Sequence, residues 1–177
     1  MPGARTPERV YDKINECRFF VARMAEYEQS ADTPEHFLYC ISAFLSAFRT
    51  AAYRLYGVTK AQRGKAAQAA LRNELHAHPQ IGFLLSKSNV EVHEDGVRVW
   101  QRYNLHIGES MQWRGSSRWN RNNDRWSSRV EERYPVQTTV AVKDWQFEGN
   151  QSNLIVLCHD AVAEMENFAR QNIKPAL

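Results

Sequence analysis

The sequence predicts an α+β fold: mainly a four-helix bundle, with a small antiparallel β-sheet inserted before the last helix. Three observations carry this. Apolar residues recur at helical spacing over 7–78 and again over 151–172. The stretch between them, 88–148, switches to strand-like alternation. The composition, 43% hydrophobic and 24% charged over 177 residues, is that of one globular domain with a sizeable core.

The first helix opens at Thr6-Pro7-Glu8, a hydroxyl cap followed by proline at the first helical position. Val10, Ile14, Cys17, Val21 and Met24 then form one stripe, and the helix is expected to end near Glu28. A second start stands at Asp32-Thr33-Pro34-Glu35. Its stripe is Phe37, Ile41, Phe44, Phe48, Ala51 and Leu55, widened by Leu38, Leu45 and Ala52. Gly57 is the expected stop. A short loop between two such helices makes an antiparallel hairpin. Residues 59–78 are rich in alanine and other good helix formers, and the firm third helix is expected at about 65–77, ended by Pro79. The last helix is expected at about 151–172, with Leu154, Leu157, Ala161, Met165 and Phe168 as its stripe. Asn150, Ser152 or Asn153 could cap it.

Between the third and last helices, Val90 and Val92 alternate with Glu91 and His93. Asp95-Gly96 is a hairpin turn signal, and Val97 and Val99 begin a return strand running on to Ile107. Val136, Thr138, Val140 and Val142 alternate again, and Trp145-Gln146-Phe147 extends or pairs back. Three or four antiparallel strands are expected, with the polar run at 120–124 as a loop. No apolar run reaches the roughly 20 residues needed to span a bilayer. No apolar stretch follows the first residues as it would in a signal peptide, so the expected compartment is the cytoplasm.

The net charge is +3, and arginine outnumbers lysine 17 to 6. The arginines cluster in the Arg/Trp-rich segment 113–129. Arg114, Arg118, Arg121, Arg125 and Arg129 stand there against Asp124 alone, so the window carries +4 while the rest is near neutral. Trp119 and Trp126 lie among them. Three readings stay open for this segment. The arginines and indoles could hold a nucleic-acid strand, by phosphate contact and base stacking. The rings could pack on the sheet beneath an arginine cover. Or the segment could dock a protein partner. The three cysteines, Cys17, Cys40 and Cys158, are too few and too scattered for a disulfide framework and read as buried free thiols.

The other candidate chemistry is Arg72-Asn73-Glu74-Leu75-His76-Ala77-His78-Pro79. Arg72 and His76 are four apart and share a helix face, while His78 falls where the helix ends. A histidine moves protons near neutral pH, and an arginine stabilises charge gathering on a phosphoryl group. Together they suit RNA cleavage without a metal or other cofactor. The competing reading is a helix C-terminus with cationic side chains complementing its dipole. His76 and His78 form an H-x-H pair, but a metal site would need a second close pair, and no such pair exists; His93, His106 and Cys158-His159-Asp160 do not supply one. Phosphate-loop, dinucleotide, nucleophile-elbow and zinc-protease motifs are absent.

In Arg72, Asn73 and His78 the chain resembles HEPN-like helical domains, whose bundles carry an arginine, a polar residue and then a histidine a few positions on. The helix phrase Ser42-Ala43-Phe44-Leu45-Ser46-Ala47-Phe48-Arg49 also looks like the second helix of prokaryotic proteins of this type. The resemblance covers about 7–78 and 151–172, not 81–148. It departs from the tight form of the motif, which would place histidine where Ala77 stands. That leaves His76 and His78 both in play, with His78, or else His76, expected as the acid/base. The resemblance implies a homodimer with facing Arg/His sites. It implies metal-independent endoribonuclease activity in a toxin–antitoxin or defence system, with Asn73 orienting, or a non-catalytic RNA-binding or scaffold role. No membrane partner is expected.

Overall fold

The computed structural model describes residues 6–28, 34–93, 98–107, 115–120, 125–130 and 138–174. Helix α1 (Pro7–Glu28) buries Val10, Ile14, Cys17, Val21 and Met24, the stripe expected of it. Helix α2 (Pro34–Ala77) follows. Its first arm buries Phe37, Ile41, Phe44, Phe48, Ala51 and Leu55. Helix α3 is Pro79–His93 and helix α4 is Leu154–Asn172. The helical bundle is therefore present. Two of its boundaries differ from expectation.

Gly57 does not end a helix: it is buried inside α2, flanked by buried Tyr56 and Val58. A mid-helix glycine costs about 1 kcal/mol, which burial of these neighbours outweighs. The break comes at Gly64, whose φ of 89° and ψ of 175° only glycine adopts without strain. Beyond it the second arm of α2 buries Leu71 and Leu75. Pro79 then does two things. It ends α2 and, lacking an N–H, opens α3 at the first helical position. Val90 and Val92 lie in the last turns of α3, not in a strand. The i, i+3, i+4, i+7 set Ile81, Leu84, Leu85 and Ser88 is buried and fixes the helix. The Asp95-Gly96 turn lies outside the described residues.

Gly82 sits where α3 passes the end of α2. A Cβ there would stand 2.3 Å from the carbonyl oxygen of His76. Because the obstacle is backbone, Gly82→Ala is expected to cost about 2–3 kcal/mol, read as a lowered urea midpoint. An unchanged midpoint would show that the two helices separate freely.

The strands are β1 (Val99–Ile107), β2 (Gly115–Asn120), β3 (Arg125–Val130) and β4 (Thr138–Phe147). They pair two by two, β1 with β4 and β2 with β3. One inserted sheet joining them, as the alternation suggested, is not shown. The chain forms two compact units: Met1–Arg102 with Lys143–Leu177, and Tyr103–Val142. The first holds the helices and the near ends of β1 and β4, where the Glu148 N–H donates to the Arg98 carbonyl at 3.1 Å. There Trp145 stacks on Phe37 at 4.3 Å, and Phe147 meets Phe83 edge-on at 5.7 Å. The end of β4 thereby plugs the helical core. Helix α4 follows, capped by Asn153, whose Oδ1 accepts from the N–H groups of Ile155 (2.9 Å) and Val156 (3.1 Å). Among the described residues no helix is long and apolar enough to cross a membrane.

Candidate functional site

The expected Arg/His cluster closes the second arm of α2. Arg72 and His76, one turn apart, line one narrow crevice with Arg49, Tyr56, Ser88 and Asn89. Its volume is about 20 Å3, room for one water-sized group. Arg72 and His76 are both solvent-exposed, as the catalytic reading needs. Asn73 is exposed too but lines neither this crevice nor the cleft beside it.

His78 is placed apart. It is half-buried at the α2–α3 junction, with its ring edge-on to Phe168 at 6.0 Å. Its backbone ties the helices together: the N–H donates to the Glu74 carbonyl (3.0 Å), and the carbonyl accepts from Gly82 N–H (2.8 Å). Its Nδ1 lies 3.5 Å from the Ile81 N–H. The fold therefore gathers Arg72 with His76 and gives His78 a structural position.

Arg72 also lines a larger cleft of about 540 Å3, where the two arms of α2 face each other across the Gly64 break. Thr50, Tyr53, Arg54, Tyr56, Gly57 and Lys60 come from the first arm; Gln68, Ala69 and Arg72 come from the second. Three cations line it and no carboxylate does. The Arg49 guanidinium lies 5.4 Å from the centre of the Tyr53 ring, and Tyr53 meets Tyr56 edge-on at 6.0 Å. Arg54 is held by donating to the Arg9 carbonyl of α1 at 2.9 Å. Tyr56 is 6% exposed, and among the described residues its buried hydroxyl has no hydrogen-bond partner; the Thr59 hydroxyl is alike. Burial pushes the Tyr56 phenol up to about 12, against the opposing pull of the nearby Arg72 charge.

Sequence reasoning missed this cleft, although a signal was present. Arg49, Tyr53, Tyr56 and Lys60 recur at spacings of 4, 3 and 4, a cationic-aromatic stripe beside the core stripe of α2. Gln68, Arg72 and His76 repeat every four residues on the second arm.

The Arg/Trp segment is a two-stranded antiparallel hairpin in the second unit. Its register sets Trp119 opposite Trp126, Arg118 opposite Ser127, Asn120 opposite Arg125 and Ser116 opposite Arg129. Arg114 and Arg121 lie outside the described residues.

Among the described residues no group of three or more His, Cys, Asp or Glu side chains could hold a metal ion. Cys17 and Cys158 are buried, and burial pushes Cys17 up to about 12 and Cys158 well above its ordinary value. Cys40 is only half-buried, and its thiol is raised by the same cause. A thiol reagent at neutral pH is expected to label Cys40 alone in the folded protein and all three cysteines in denaturant. Rapid native labelling at three sites would refute this burial pattern.

No family model matches the chain, and no curated protein or solved structure matches it. The site must speak for itself: a helical fold whose longest helix folds over a cationic, tyrosine-lined cleft, with an arginine–histidine pair at one end.

Proposed function

We propose that this is an RNA-directed protein that cleaves RNA without a metal, acting as a homodimer in the cytoplasm in the manner of HEPN-like toxin or defence ribonucleases. The observation that carries the reading is Arg72 and His76 lining one crevice beside a cleft rich in cations and free of carboxylates. The His76 imidazole accepts the proton of a ribose 2′-hydroxyl. The freed 2′-oxygen bonds to the adjacent phosphorus, and the bond from phosphorus to the 5′-oxygen breaks. The departing 5′-oxygen takes a proton from water. The products are a 2′,3′-cyclic phosphate and a 5′-hydroxyl. Arg72 stabilises the charge that gathers on the phosphoryl oxygens through its planar fork. The arginines of the β2–β3 hairpin would make phosphate contacts of their own.

The test is cleavage of a mixed-sequence RNA in EDTA by wild type, Arg72→Ala and His76→Ala. Cleavage with cyclic phosphate ends, lost in both variants, is the expected result. An uncut RNA, or equal cutting by all three proteins, would end the reading. One observation favours a second reading, a non-catalytic docking protein: the strand register sets Trp119 directly opposite Trp126. Such a pair suits a protein partner better than a phosphate backbone. In that case Trp126→Ala abolishes partner capture and RNA binding is absent.

A further inference from the structure

We infer that the cleft between the two arms of α2 is a binding site for a single nucleotide, a flat aromatic base carrying a phosphate. The inference goes beyond the cleavage reading, because it needs no chemistry at His76 and concerns the cleft rather than the crevice.

Three features of the cleft point to this ligand class. Its charge is unbalanced: Arg54, Lys60 and Arg72 line it and no carboxylate answers them. Three like charges on one cleft draw an anion toward it. The lining is also aromatic. Tyr53 is 54% exposed and Tyr56 lies against it, so the cleft presents a ring surface next to its cations. That combination fits a base beside a phosphate better than it fits inorganic phosphate alone. The volume of about 540 Å3 is in the range of small-molecule sites and well above what a bare phosphate needs.

Gln68 adds an amide that can donate and accept on the wall formed by the second arm. Arg54 is already anchored through the Arg9 carbonyl, so one terminal nitrogen is fixed while the rest of the guanidinium stays available. Less rotamer freedom is then lost when an anion binds.

The test is calorimetric titration of the full chain with 5′-AMP, adenosine and inorganic phosphate. Saturable binding of 5′-AMP is expected, at least about tenfold tighter than either fragment. Arg54→Ala combined with Lys60→Ala should abolish it, with the circular dichroism spectrum unchanged. Tyr53→Ala is the sharper variant. It removes a ring that is 54% exposed, so the melting temperature should hold while 5′-AMP affinity falls about tenfold. His76→Ala should retain binding, which separates this proposal from the cleavage reading: cleavage can fail while the nucleotide still binds, and the reverse. Three results would overturn the proposal. They are no 5′-AMP binding at millimolar concentration, binding unaltered in the double variant, or inorganic phosphate binding as tightly as 5′-AMP.

Discussion

RNA cleavage is expected to fall about a thousandfold in His76→Ala and to stay within a small factor of wild type in His78→Ala. The difference follows from where the two imidazoles stand. His76 is exposed and shares a crevice with Arg72, whereas His78 is half-buried against Phe168 at the helix junction. A general base must reach the proton it takes, and only His76 is beside the arginine that would hold the phosphate. Arg72→Ala is expected to lose about a hundredfold or more, and Arg72→Lys to recover part of it, since lysine keeps the charge but not the two-pronged contact. In the proposed reaction both groups act on one phosphate, so the double variant should be little worse than His76→Ala alone. Single-turnover rates on one RNA, with folding checked by circular dichroism, decide the matter. Full loss of cleavage in a folded His78→Ala protein would transfer the proton to the other histidine.

The pairing of Arg72 with His76 was legible because a four-residue spacing on a helix puts two side chains on one face. The choice between His76 and His78 was not. It turned on whether the helix continued beyond Ala77, and that depends on packing. Pro79 starts a new helix, Gly82 lets it press against the His76 carbonyl, and His78 is left at the bend facing Phe168. The cleft was half legible. Its first wall is written in Tyr53, Tyr56 and Lys60 at helical spacing. Its second wall needs the arms of α2 folded toward each other, and a lone glycine among good helix formers gives no angle.

The helices were legible wherever apolar residues kept one stripe over several turns, as in α1, the first arm of α2 and α4. The errors came from shorter signals. Val90 and Val92 offered two alternating positions, and the four-residue set from Ile81 to Ser88 outweighed them by continuing a helix into the core. The alternation over Trp145-Gln146-Phe147 was visible. Nothing local announced that its buried rings would stack on Phe37 and Phe83, because such contacts join residues more than sixty positions apart. The Arg/Trp segment reads ambiguously for a related reason: its ladder partners are known only once the hairpin register is known.

Alkali should unfold this protein through its buried thiols. Cys17 lies under α1 at 1% exposure; burial chiefly, and the neighbouring Glu16 carboxylate next, push its thiol from 9.0 to about 12. Cys158 of α4 is raised by burial and then by Cys17 itself, so the two thiols resist ionising together. In the unfolded chain each gives up its proton near 9.0, while the folded chain holds Cys17 protonated to about 12. Across that window the folded state binds the extra proton, so stability is complete below pH 9 and is lost as pH rises. For Cys17 the loss approaches about 1.4 kcal/mol per pH unit, or about 4 kcal/mol by pH 12. Other groups titrate in the same range, so the informative quantity is the difference between wild type and Cys17→Ala. The variant starts less stable, by about 1–2 kcal/mol for a small cavity, yet its urea midpoint should fall less steeply between about pH 8 and about pH 11. Parallel slopes for the two proteins would mean that the Cys17 thiol ionises freely in the folded state, which its place between α1 and α4 forbids.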